Sequence, residues 1–326
     1  MRKILLASTA LVAVAGVSHA DVSISGAYEF GYQSVSDDQT SDLDDMYDDH
    51  EIHVSFSSTT DSGLTFGAKT EMEGSADVAT THNDESSMYI SGDFGKFELG
   101  QNDGAGPTFV TFPGYGSNSI GSYDIGSHQN NSAGTALTGV YPFPQYGRDG
   151  DNNKISYFSP NMGGFSFGYS YSDEGTDDAD TAAGLSWSGD MSGVGVTVTA
   201  MMEESGESTD TTENSAYGIT LTSGSIDFGI STGTTQTGAT IDATTTVYGL
   251  GYNVSDSVRL TVAASQSDND VTNGDEFSQQ GVGVNYTIAP GLGLHVGLSS
   301  FEATDGGSTS LNNDGTVIRT SIKMSF

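Results

Sequence analysis

The sequence predicts an all-β chain, a transmembrane antiparallel β-barrel of about 16 strands. Three observations predict it. Bulky apolar residues recur with a period of two from Val22 to Phe326. The polar connections between these segments alternate short and long. Charges within the segments keep to the parity opposite the apolar one.

The alternation comes first. Val22, Ile24, Tyr28, Phe30 and Tyr32 share one parity, as do Ile52, Val54 and Phe56, then Leu64, Phe66, Ala68 and Met72. It recurs at Met88–Ile90, Phe97–Leu99, Ile155–Tyr157, Phe165–Tyr171, Leu185–Trp187 and Val194–Met202. It continues at Tyr217–Leu221, Ile226–Ile230, Tyr248–Tyr252, Val258–Ala264, Val282–Ile288 and Leu294–Leu298. It ends on Ile318, Ile322, Met324 and Phe326. In a strand, alternate residues point to opposite faces, so each segment has one apolar and one polar face.

The connections come second. "SSTTDSG", "GDFG", "SPNMGG", "SGDMSG", "NVSDS" and "APGLG" are tight turns rich in Gly, Ser, Asp and Pro. Longer polar stretches lie between them, among them Gln33–His50 and Ser265–Glu276. Sorting by length puts all turns of one kind at one end, as in a membrane barrel. From Gln101 to Asn153 the alternation lapses for about 50 residues, long enough to mark a functional loop. This stretch contains "GPTFVTFPGYG", too apolar for a solvated tail.

The charges come third. Glu29, Glu51, Lys69, Glu71, Lys96, Glu98, Lys154, Asp227, Arg259, Arg319 and Lys323 all lie opposite the apolar parity, with His53 and His295. A Lys or Arg facing lipid at mid-depth costs roughly 2–4 kcal/mol, so this is the register a barrel requires. Tyr28, Tyr32, Tyr89, Phe97, Phe165, Tyr171, Trp187 and Tyr252 are read as aromatic girdles on the apolar face. Phe326 continues the outward parity of the last segment, so the first and last strands can meet and close the ring.

Composition narrows the function. The chain has 326 residues, with 43 acidic against 9 basic side chains and a net charge of -34. That argues against nucleic acid, which needs clustered Lys and Arg, and favours cations. Cysteine is absent, which excludes thiolate metal sites, Cys nucleophiles and disulfides. Arg2 and Lys3, an apolar run from Ile4 to Val17 and Ser18-His19-Ala20 make residues 1–20 a secretory signal peptide. Residues 21–326 then form one barrel domain. No later segment approaches the roughly 18–20 apolar residues of a membrane helix.

On these residues the chain resembles the Gram-negative outer-membrane porins, particularly the general diffusion porins of alphaproteobacteria. "SSTTDSGLTFGAK" resembles the family's first turn and third strand. "SGDFGKFELGQ" and "NKISYFSPNMGGFSFGYSYS" resemble the hairpins before and after its long loop. Phe326 resembles the terminal signal read by the barrel-assembly machinery. The resemblance implies a homotrimer in outer-membrane lipid, passing small hydrophilic solutes and ions. It implies that the third long loop, residues 101–153, folds into the lumen and narrows it. Acidic loop candidates are Asp103, Asp124, Asp149 and Asp151; pore-wall candidates are Glu29, His53, Lys69, Glu71, Arg259 and Arg319. The scarcity of basic wall residues departs from the family pattern, weakens any transverse field and points to cation preference.

Three further readings arise from the residues. Gly164-Phe165-Ser166-Phe167-Gly168 matches the nucleophile elbow of serine hydrolases, but Ser166 sits inside an alternating strand with no helix after it, and no enzyme is expected. Asp149, Asp151 and Asn153 form D-x-D-x-N, a possible calcium site, although Lys154 holds the usual glycine position. No cofactor is required. The bland alternative is a solvated acidic mouth, which also accounts for Asp42, Asp44, Asp45, Asp48 and Asp49. The alternative function is a secreted calcium-stabilised acidic adhesin or β-solenoid, though no fixed short repeat is present.

Overall fold

The apolar alternation is strand throughout. The computed structural model describes residues 21–38, 44–74, 82–111, 130–147, 150, 152–173, 175, 179–206, 210–271 and 274–326. The signal peptide, Asp42, Asp124, Asp149 and Asp151 lie outside them. The strands are β1 Asp21–Asp37, β2 Asp45–Thr59, β3 Thr65–Gly74, β4 His82–Gly92, β5 Gly95–Gln101, β6 Asn153–Phe158, β7 Phe165–Ser172 and β8 Asp180–Met191. They continue as β9 Val194–Ser205, β10 Thr212–Ser223, β11 Ile226–Thr237, β12 Ile241–Ser255, β13 Val258–Asn269, β14 Glu276–Ala289, β15 Leu292–Thr304 and β16 Asn313–Ser325. Each pairs antiparallel with its sequence neighbours, and β1 pairs with β16, so the 16 strands form a closed barrel. A closed antiparallel ring overturns the β-solenoid alternative.

Closure fixes which face is which. Phe326 exchanges backbone hydrogen bonds with Gly26 at 3.0 and 3.3 Å, so the two ends of the chain meet as expected. The apolar parity is the outer surface. Ile24, Phe30, Phe165, Phe167, Tyr169, Leu250, Val282 and Ile318 are all exposed there. At the other parity Ser156, Ser170, Ser231 and Thr261 are buried. Ser166 belongs to this inner row, on a strand that runs unbroken to Ser172, so the strand-to-helix turn of a hydrolase elbow does not form.

The short turns are as tight as their composition demands. Strands β8 and β9 are joined by Ser192-Gly193 alone, at φ 58° and 87°. Two successive positive φ values match the right-handed twist of a hairpin, and glycine adopts them without a Cβ clash. Asp190 Oδ1 accepts the Gly193 N–H at 2.9 Å and holds the corner.

Three sequence expectations change. Parts of the long polar connections are strand. Gln33–Asp37 completes β1 and Asp45–His50 begins β2, and residues 265–269 complete β13. The reason is that these stretches carry polar residues on both faces, so hydropathy shows no clear period there. Consequently Asp48 and His50 fall on the outer parity of β2, beside Phe30 and Tyr28 of β1. Tyr28 stacks on His50 with ring centres 5.7 Å apart, and its hydroxyl donates to Asp48 at 3.1 Å. On the same face Thr70 of β3 meets Ser86 of β4 at 3.2 Å. Tyr89, read as a girdle residue, points inward over Gly67, because Met88 and Ile90 take the outer parity of β4.

The third change is an apolar cluster inside the barrel. Val35, Phe277, Phe301, Ala303 and Val317 lie on the inner parity and are buried together with Val140 of the loop, with Leu137 packed against them. The inner face is therefore not polar throughout; around Val140 the loop covers an apolar part of it.

Candidate functional site: the lumen and its loop

The stretch between β5 and β6 is bound to the inner wall at both ends. A single helical turn, α1 (Ala105–Thr108), packs against β6 to β9. The Ala105 N–H donates to Ser170 Oγ at 2.7 Å, and Ser156 Oγ, 2.9 Å from that hydroxyl, reaches Asn102 Oδ1 at 3.0 Å. Lys154, buried, donates to the carbonyls of Asn102 and Gly150. Phe109 is buried against Met201 and Ala216, with Val110, Tyr146 and Phe158 around it.

The wall has room for this because its inner residues are small. A Cβ at Gly168 would lie 2.6 Å from the Phe109 ring, and one at Gly184 would collide with the same side chain. Likewise Gly218 lies under Thr111, and a Cβ at Gly233 would lie 2.7 Å from Pro144. Glycine is unfavourable in a strand interior and often marks a close approach; here each faces a loop side chain.

The second half of the loop is held by named hydrogen bonds. Glu203, buried, accepts the Gly147 N–H at 2.8 Å. Asp275 accepts the Thr138 N–H at 2.9 Å, and Asn269 donates to the Thr138 carbonyl at 2.9 Å. Asn131 donates to Asp305 at 2.9 Å, and Asn313 to the Asn130 carbonyl at 3.0 Å. These partners span β9, β13, β16 and neighbouring connections of one closed ring, so the described parts of the loop lie inside it.

Away from the loop, β16, β1, β2 and β3 carry two charged clusters on their inner face. In one, Glu29 is 5% exposed. It accepts the Tyr47 hydroxyl at 3.1 Å and lies 3.9 Å from both Arg319 Nη2 and Lys323 Nζ. Arg319 sits 4.1 Å over the Tyr47 ring and donates to its hydroxyl. In the other, His53 lies between Glu51 and Glu71, at 2.7 and 3.3 Å, and Lys69 is ion-paired with Glu71. Elsewhere Lys96 pairs with Glu98 at 2.6 Å and Arg259 with Asp227 at 2.7 Å.

The family model for Gram-negative porins matches residues 7–306. The chain belongs to the Gram-negative porin family. A triple mutant of the Rhodopseudomonas blastica porin is similar in fold, with a TM-score of 0.64 at 19% identity, over 94% of this chain and 100% of that one. The anion-selective porin of Comamonas acidovorans gives a TM-score of 0.66 at 15% identity, over the same shares. No curated protein matches the chain in sequence. A porin of this family is an outer-membrane channel, and its fold points away from catalysis.

Within the porin lumen the candidate residues separate into groups. Glu29 and Arg319 share one cluster, and His53, Lys69 and Glu71 the next, all on adjacent strands. Arg259 stands apart, on β13 beside Asp227 of β11. Of the loop acids, Asp103 is described, exposed just before α1. Asn153 takes the outer parity of β6 while Lys154 points inward. Sequence reasoning missed Tyr47, Asn102, Glu203 and Asp275. Glu203 was within reach, since it continues the inner register of β9 one residue past Met202.

Proposed function

We propose that this porin is a water-filled, cation-preferring channel for passive diffusion of small hydrophilic solutes, narrowed by the loop between β5 and β6. The observation that carries the preference is the state of the wall cations. Among the described residues, Lys69, Lys96, Arg259, Arg319 and Lys323 each pair with a wall carboxylate, and Lys154 is spent on loop carbonyls. Little positive field is left to set against a chain with 43 acidic and 9 basic residues. The Comamonas acidovorans relative is anion-selective; the charge balance here argues the other way. Reversal potentials across a planar bilayer under a KCl gradient test this. We expect K⁺ to be favoured at 0.1 M, with the preference fading toward 1 M as the Debye length falls from about 10 to about 3 Å. A reversal potential of anionic sign at low salt would overturn it.

The porin is further proposed to be exported by residues 1–20, to be assembled through Phe326 and to work as a homotrimer. The outer face of β1 to β4 supports the oligomer. Asp48, His50, Thr70 and Ser86 interrupt an apolar band there, and polar groups are costly against hydrocarbon but tolerable against another subunit. Thr70→Trp, which overfills a subunit contact but is tolerated against lipid, is expected to dissociate the oligomer on native gels while the monomer keeps its heat-modifiable mobility. An oligomer that survives would place the contact elsewhere.

A further inference from the structure

We propose that Glu51, His53 and Glu71 form a binding site for a divalent transition metal, zinc by donor class, on the inner wall between β2 and β3. The sequence builds the site by register. Glu51 and His53 are two apart on β2 and share its inner face; Lys69 and Glu71 do the same on β3. His53 pairs directly with Glu71, and Ser55 with Lys69. The nitrogen and oxygen donors are therefore adjacent through backbone pairing, and the approach of one ligand atom from each of the three residues is within 4.8 Å.

The distances distinguish two roles for the two sides of the imidazole. Nε2 lies 2.7 Å from Glu51 Oε1, a hydrogen-bond length. A carboxylate there holds the proton on Nε2 and leaves the Nδ1 lone pair for a metal, the usual outer-shell arrangement of a metal-bound histidine. Nδ1 lies 3.3 Å from Glu71 Oε1. Two donors about 2.0–2.1 Å from one tetrahedral zinc are about 3.3 Å apart, so this gap has the edge length of a zinc site. Glu71 is 6% exposed, and its Oε1 faces both His53 Nδ1 and the Lys69 ammonium, so this oxygen already holds a cation. The imidazole selects a transition metal over calcium or magnesium, which take oxygen alone.

Lys69 is the resident competitor. Its ammonium is ion-paired with Glu71 and occupies the carboxylate a metal would use. Its flexible four-carbon stem lets it swing into the lumen when a metal arrives. Binding thus adds two charges from the metal and exposes a third from the lysine, all beside a cation path. Zinc should weaken cation preference, and that consequence rests on the channel reading above.

The test is isothermal titration of zinc chloride into the folded, detergent-solubilised chain without a polyhistidine tag, with bilayer currents recorded in parallel. We expect one saturable event per chain. It should be lost in His53→Ala and weakened about 10- to 100-fold in Glu51→Gln, the range for outer-shell partners. It should tighten in Lys69→Met, a gain that a merely unfolded or damaged wall does not produce. Heat-modifiable mobility checks that each variant is folded. Identical titrations for wild type and His53→Ala, or no heat at millimolar zinc, would overturn the site. Saturable heat with no change in current supports the site and counts against the channel reading.

Discussion

Phe167→Lys is expected to prevent most of the chain from reaching the assembled barrel, while Ser166→Ala leaves assembly intact. The two residues are neighbours on β7 and face different surroundings. Phe167 is exposed on the outer band, with its ring centre 5.8 Å from that of Tyr157. A lysine facing lipid at mid-depth costs roughly 2–4 kcal/mol, which is about 30- to 900-fold in the folding equilibrium. Ser166 is a small polar residue of the inner row, opposite Ser186, so losing its hydroxyl removes little. Heat-modifiable mobility of both variants, refolded side by side, measures the contrast. Normal assembly of Phe167→Lys would mean that this face does not meet lipid.

Gly184→Leu is expected to leave the barrel closed and to lower its single-channel conductance. The glycine lies on β8 directly beneath Phe109, and any side chain there must displace that ring. Overpacking of this kind costs typically about 1–3 kcal/mol. The strand pairing of Gly184 with Gly168 and Met201 is through backbone, so the ring of strands survives and the loop yields instead. Displaced from its trough, the segment around α1 moves toward the lumen axis. Adding Phe109→Ala in the same chain vacates the space and should restore much of the conductance. Unchanged currents in the single variant would show that the loop does not narrow the path.

The fold was legible where the two faces of a strand differ most. Phe165, Phe167, Tyr169 and Tyr171 against Ser166, Gly168, Ser170 and Ser172 leave no doubt about strand or side. It was illegible where both faces are polar, which is why Asp45–His50 read as loop and the outward position of Asp48 and His50 went unseen. Tyr89 misled because aromaticity was weighed above its parity. Of the site, the charged wall residues could be read from their register, since the charges set among the apolar alternation fall on the parity opposite to it. What covers the inner wall could not be read. Gly168, Gly184 and Gly218 are plainly small, but nothing local ties them to Phe109 or Thr111, residues dozens of positions away. Tyr47 and Arg319 likewise meet only because the last strand returns to the first.

That return gives the loop a second consequence. Val35 of β1 and Val317 of β16 are paired across the seam where the ring closes, and both belong to the buried cluster that contains Val140. Asn313, which holds the Asn130 carbonyl, also accepts the Asp38 N–H at 3.0 Å. The middle of the chain is thus riveted across its own two ends. A barrel still open at β1 and β16 lacks this part of the socket, so the Asn130 and Val140 part of the loop cannot seat fully until the last strand has found the first. A fully seated loop is in this sense a certificate of a finished barrel.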